Sequence, residues 1–241
     1  MLVGQNIPTN QEINNMDSLR YYHYRRLSSK GKEAYKKIVQ AIRRFSSCVV
    51  IDSIGNLHVI VDAVKNDNPH FYYVDWSVLV YSCQLQGLKT VLRLNYLIGR
   101  IEAKNYYYRI KMIAQRIKGN TEFSTIRNVH DYLAKTIKYN HDAILKKTYN
   151  VKDHNVIGPL FESKGVCEGI SRAAQILLRI LNVECTYQCG LVDSKTNSIR
   201  GLHAWNLINI KGKVKKMDIT WDLSVNGKVS HKYFAVPEDY V

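Results

Sequence analysis

Ile170, Ala173, Ala174, Leu177, Leu178 and Leu181 follow one another at steps of three and four, which predicts a helix presenting one apolar stripe to a core. The same period runs through Tyr35, Ile38, Val39, Ile42 and Phe45, in a helix that Ser28 or Ser29 can cap and that reaches about Ser47. It recurs in Ile126, Val129, His130, Leu133 and Ile137, for a helix over 124–137. A shorter helix is expected over 57–65, stopped by Asn66-Asp67-Asn68-Pro69, and a basic one over about 104–118.

Other stretches alternate with a period of two, as strands do. Strands are expected over 71–76, 78–82 and 88–96, the last with Leu88, Thr90, Leu92, Leu94 and Tyr96 on one face. A sheet of at least three antiparallel strands should begin near Thr186 and include 202–210 and 214–221, joined around Lys211-Gly212-Lys213. Residues 1 to about 27 form an extension rich in Asn, Gln and Tyr. Gly119-Asn120 is the best boundary, separating a mainly helical extension with some β structure (1–119) from a second domain (120–241). Helices together with antiparallel strands make the fold class α+β.

The helix after Gly165 opens on a thiol. Counting back by three and seven from Ile170 and Ala174 puts Cys167 on the apolar stripe in the first turn, facing the body of the protein. A helix N-terminus carries partial positive charge and unpaired N–H groups, which favour a thiolate and offer donors to an oxyanion. Gly165 and Gly169 would keep the backbone thin for a substrate. The plain alternative is that Cys167 is a small buried hydrophobe.

His203 and Asp218 change that balance. With a two-residue Lys211-Gly212 loop, Ile210 pairs with Lys213, His203 lies opposite Thr220, and Asp218 is a diagonal neighbour of His203 on the same face. A three-residue loop without a bulge would put the two on opposite faces. In the first register Asp218 can hold one imidazole nitrogen and leave the other for the Cys167 thiol. Trp205 and Trp221 flank this pair and could wall a narrow channel, although strand packing explains them equally well. Tyr139 could donate to an oxyanion beside the Cys167 N–H, with core packing as the simpler alternative. His130 reads as a core histidine, and Glu168 as a residue favouring the helix start.

The runs Gly165-Val166-Cys167-Glu168-Gly169, His203-Ala204-Trp205-Asn206 and Asp218-Ile219-Thr220-Trp221-Asp222 resemble the three signature blocks of the bacterial transglutaminase-like superfamily. With the preceding helix, which ends at Ile137-Lys138-Tyr139-Asn140, they cover about the C-terminal half of the chain. The resemblance implies a papain-like α+β core with the cysteine helix packed on an antiparallel sheet. It also implies Cys167 as nucleophile, His203 as general base and acid, and Asp218 as the group that orients it. Asn68-Pro69-His70-Phe71-Tyr72-Tyr73 is similar, less specifically, to regions beside this domain in bacterial members. Animal transglutaminases carry extra β domains and calcium sites, for which this chain has neither room nor residues.

The expected activity is transfer of a protein glutamine acyl group to lysine or another amine through a Cys167 thioester. Water as acceptor would give deamidation. A thiol protease or amidase with the same triad, and a non-enzymatic surface-binding module, are the alternatives. The chemistry calls for no cofactor. Cys185 and Cys189 could be half of a metal site, but the segment reads better as a strand, and no metal ligands are expected.

Composition narrows the setting. Hydrophobic residues at 46% and charged residues at 23% belong to a folded chain rather than a disordered one. No run approaches the roughly 20 apolar residues of a membrane span. Five irregularly spaced cysteines do not make a disulfide framework. The first residues lack a charged start and apolar block, so a cytoplasmic location is expected, with a cell-surface or extracellular one as the alternative that the resemblance implies. The net charge of +15 would steer acidic proteins or anionic surface polymers toward the molecule. Expected partners are therefore protein substrates with accessible Gln and Lys. Tyr106-Tyr107-Tyr108-Arg109 could stack on bases, but without a recognisable module no specific nucleic acid is expected. The aromatic-rich N-terminal region makes a homodimer a further expectation.

Overall fold

A computed structural model describes residues 19–77, 81–84, 89–145, 150–193 and 200–240. The chain divides into two units, Met1–Tyr108 and Arg109–Val241, and the division falls inside a helix. No helix among the described residues is long and apolar enough to cross a membrane.

In the first unit α1 (Tyr22–Arg25) is followed by α2 (Ser29–Arg43), whose cap Ser28 accepts from the Gly31 N–H at 3.2 Å. Tyr35, Ile38, Val39 and Ile42 are its buried stripe. The helix stops short of Ser47 because Phe45 takes a left-handed conformation (φ 55°) and lays its ring on Tyr73, 4.6 Å between centroids. β1 (Cys48–Asp52), α3 (Leu57–Asp67), β2 (Tyr81–Gln84) and β3 (Lys89–Arg93) follow, with the strands in the antiparallel order β1-β3-β2. Thr90, Leu92 and Leu94 are buried as the alternation predicts, while Leu88 lies outside the described residues.

Two features of this unit differ from the pattern. Residues 71–76 do not form a strand: Pro69–Phe71 is a 3-10 turn, and Val74 makes only an isolated bridge to Tyr96. Proline fixes φ near the helical value at the start of a turn, which overrides the alternation. β1 is unannounced because its three consecutive apolar residues bury only one side chain, Ile51, while Val50 stays exposed. The expected strand over 78–82 lies partly outside the described residues.

α4 (Arg100–Ile117) spans the division. In the second unit α5 (Glu122–Thr136) is opened by a capping box in which Thr121 and Ser124 exchange hydrogen bonds, so Ser124 stands inside the helix rather than at its start. Ile126, Val129, His130 and Leu133 are its buried stripe. The helix ends before Lys138 and Tyr139, which instead form β4 (Lys138–Tyr139), paired in parallel with β5 (Lys164–Gly165). α6 (His141–Leu145) and a π-helical turn (Gly158–Glu162) lie between these strands in sequence.

α7 (Cys167–Ile180) is the centre of this unit, packed on α5 and on the sheet formed by β6 (Cys185–Asp193), β7 (Arg200–Ile210) and β8 (Lys213–Met217). The expected single stripe is too narrow. Every residue from Gly169 to Arg179 is buried, because the polar face is also covered and its groups find partners. Arg179 Nε donates to the Cys185 carbonyl at 3.0 Å, Asn206 Nδ2 donates to the Ser171 carbonyl at 3.0 Å, and the Arg172 guanidinium lies 4.3 Å from the Tyr187 ring centre. Helix and antiparallel sheet together give the papain-like α+β core.

Candidate active site

The hairpin register decides the site. Ile210 pairs with Lys213 across Lys211 and Gly212, both at positive φ (51° and 79°), the conformation of a tight two-residue hairpin turn. The ladder ends at Asn206↔Met217, so His203 does not pair with Thr220. Beyond Met217 the chain turns away, and the Asp218 N–H donates to the Tyr233 carbonyl at 3.0 Å. The side chains meet nonetheless: His203 Nε2 lies 2.6 Å from Asp218 Oδ2. Asp218 is wholly buried, and its Oδ1 accepts from the Trp221 N–H at 3.2 Å.

Cys167 is the first residue of α7 and is half-buried, with its thiol close enough to His203 to act on the imidazole. With Asp218 on Nε2, the imidazole has Nδ1 left for sulfur. Burial acts to lower the His203 pKa, but the interactions with Asp218 and Cys167 outweigh it and raise it to about 9. β4 brings Tyr139 to the same point, since Tyr139 pairs with Gly165 two residues before the thiol. Its hydroxyl stands against the Cys167 N–H and side chain, and burial first, then the Cys167 charge, push its pKa up.

The two tryptophans border the imidazole. Trp221 stacks on His203 with centroids 4.6 Å apart and planes 8° from parallel, and Trp205 lies at 6.2 Å. A residue not singled out in the sequence, Lys216, is buried beside them. Its Nζ lies 4.7 Å from the Trp205 ring centre and 5.5 Å from that of Trp221, and donates to the Tyr240 carbonyl at 3.1 Å. Nothing in the run Lys213-Val214-Lys215-Lys216 marks it; its burial depends on the 233–240 segment folding back, through the Lys216↔Val236 bridge.

The glycines serve the scaffold rather than a substrate. A Cβ on Gly169 would lie 2.2 Å from the Asp153 carbonyl oxygen, and one on Gly165 would lie 2.9 Å from the Pro159 ring. They let the 153–159 loop press on the start of α7, where the Asp153 carbonyl accepts from the Val166 N–H at 3.1 Å. Glu168 joins this support, accepting from Arg172 and contacting His154, each at 3.0 Å. Cys185 and Cys189 share β6, but the first is buried, with its thiol pKa pushed up to about 12 by burial, and the second is exposed.

A helix-opening cysteine against an imidazole on an antiparallel sheet, with the carboxylate partner just past the last strand, is the arrangement of a papain-like fold. Residues 111–219 match the model of the Transglutaminase-like superfamily. No curated protein matches the sequence. Among solved structures the chain is similar to one described as a TGase, at 14% identity and a TM-score of 0.40, covering 76% of this chain and 52% of that one. It is also similar to a candidate cysteine protease from Cytophaga hutchinsonii, at 15% identity and a TM-score of 0.40, covering 63% of this chain and 64% of that one. The chain thus spans about half the length of the first of these structures.

Proposed function

We propose that the protein transfers the acyl group of a protein glutamine side chain to a lysine or other primary amine, through a thioester on Cys167. The observation that carries this reading is the Cys167–His203–Asp218 chain of contacts, with the imidazole held at 2.6 Å by a buried carboxylate. His203 takes the thiol proton as Cys167 Sγ bonds to the carboxamide carbon. The carbon–nitrogen bond then breaks, and His203 returns the proton to the departing ammonia. An amine next attacks the thioester and gives its proton to His203; the carbon–sulfur bond breaks and the thiol is reprotonated, leaving an isopeptide. Water in place of the amine gives glutamate. Asp218 fixes the tautomer and stabilises the imidazolium, and the Cys167 N–H with the Tyr139 hydroxyl faces the developing oxyanion. Trp205 and Trp221 wall the approach. Acidic or cell-surface proteins are the favoured substrates, because the net charge of +15 draws them.

The test is incorporation of a fluorescent primary amine into a glutamine-rich protein, with ammonia release followed in parallel, for the wild type and Cys167→Ala. Incorporation lost in the variant supports transamidation, and ammonia release alone supports deamidation. Peptide cleavage without either, lost in the same variant, would replace this reading with a thiol protease.

A further inference from the structure

On α5, His130 is fully buried and each of its ring nitrogens faces a carboxylate. Nδ1 lies 3.0 Å from Asp131 Oδ1, and Nε2 lies 3.2 Å from Asp222 Oδ2. A neutral imidazole carries a single N–H, so it can donate to only one of them. Asp222 Oδ2 also accepts from the Tyr233 N–H at 3.0 Å. The other nitrogen then turns a lone pair toward a carboxylate oxygen, an arrangement that a cation between them would satisfy.

A second imidazole converges on the same oxygen. His231 Nε2 lies 2.7 Å from Asp131 Oδ1, and the His130 and His231 rings are 5.2 Å apart. His130 Nδ1, Asp131 Oδ1 and His231 Nε2 all lie within 4.8 Å of one another. Phe234 covers the buried side, its ring 5.0 Å from that of His130, while Asp131 and His231 remain partly open to solvent. This is one dry wall, three converging donors and an entry path.

We infer that His130, Asp131 and His231 form a site for a divalent transition metal of the zinc type, with Asp222 holding the His130 ring from behind. Two imidazoles and one carboxylate, with a fourth position open to water, are a donor set such ions accept. Bonds of about 2.1 Å in a tetrahedron separate ligand atoms by roughly 3.4 Å, so the carboxylate oxygen has to draw back from each imidazole nitrogen by less than about 1 Å to admit an ion. Nε2–H donates to Asp222, and the Nδ1 lone pair goes to the metal, the carboxylate–histidine–metal arrangement that fixes ring orientation. The ion would tie α5 to the segment after β8, where the Tyr233 carbonyl accepts from the Asp218 N–H and the Tyr233 N–H donates to Asp222. It would stabilise the chain that carries Asp218 without touching the reacting atoms.

The experiment is titration of chelator-stripped full-length Cys167→Ala protein with Zn2+ by calorimetry and with Co2+ by visible absorption, the substitution removing the thiol next to His203 as a competing ligand. One equivalent should bind with a rise in Tm, and His231→Ala should weaken binding more than tenfold. Asp131→Asn serves as a second ligand variant should His231→Ala fail to fold, and His141→Ala should leave binding unchanged. Absence of binding, binding equally tight in both ligand variants, or a thiolate-to-cobalt absorption band would overturn the site.

Discussion

The Trp221 ring lies flat on the His203 imidazole, planes 8° apart and centroids 4.6 Å apart. Asp218 fixes the imidazole at one edge, and the indole limits its rotation about that bond. An aromatic face also favours the charged form of the ring over the neutral one. Trp221→Ala should therefore lower kcat for amine incorporation by about fivefold, in keeping with a stack worth roughly 1 kcal/mol. Trp221→Phe should recover most of it. Steady-state kinetics of the three proteins check this; an unchanged kcat with a raised KM would make Trp221 a substrate wall only.

Asp218→Asn keeps the shape of the side chain and removes its charge. The amide can present N–H or C=O to the ring, so the tautomer is no longer imposed, and kcat should fall by about 10²–10⁴. His203 also makes stability depend on pH. Its pKa is raised from 6.5 to about 9 in the folded protein, so its contribution is complete below about pH 6.5 and is lost as pH rises through 9. The shift corresponds to at most about 3 kcal/mol. The urea midpoint of the wild type should fall between pH 6.5 and 9.5 more than that of Asp218→Asn. Equal slopes would mean that Cys167, the other partner of the ring, supplies the shift.

Tyr139 reaches the site through β4, a two-residue strand, and its hydroxyl meets Cys167 without lying on the hairpin that carries the other groups. If it donates to the oxyanion, Tyr139→Phe should reduce kcat about 10- to 100-fold with little change in KM, since the interaction forms only in the transition state. Thiol alkylation rates measured alongside would separate this from an effect on the nucleophile itself. A purely packing role predicts loss of Tm with kcat intact.

How much of this was legible depended on the range of the contacts involved. The stripes of α2 and α5 and the Lys211-Gly212 turn are local patterns, and the turn sets the hairpin register as far as Asn206↔Met217, short of His203 and Asp218. Long-range closure left no such mark. Lys216 is buried only because residues 233–240 return over β8, and His231 meets Asp131 across 100 residues of sequence. His130 was legible as a core residue from its stripe, but not as a ring held between two carboxylates, one of them on a distant loop. The full burial of α7 was hidden for a different reason. Arg172, Gln175 and Arg179 read as a solvent face until the sheet and α5 supply their partners and cover.

The close approach of the 153–159 loop to α7 gives the sharpest stability prediction. Gly169→Ala would ordinarily gain about 1 kcal/mol within a helix, because alanine loses less backbone entropy than glycine. Here the new Cβ would sit 2.2 Å from the Asp153 carbonyl oxygen, a backbone atom that also accepts from Val166 and thereby sets the start of the helix. The loop has to retreat, weakening that bond and shifting Cys167. Overpacking of this kind costs about 1–3 kcal/mol or more, so the variant should lose about 2 kcal/mol despite its better helix propensity. Gly201→Ala on β7 meets nothing within 4 Å and should change stability by less than about 0.5 kcal/mol. Urea unfolding of both variants is the check. A stabilised Gly169→Ala would mean that the loop yields freely and does not set the position of the thiol.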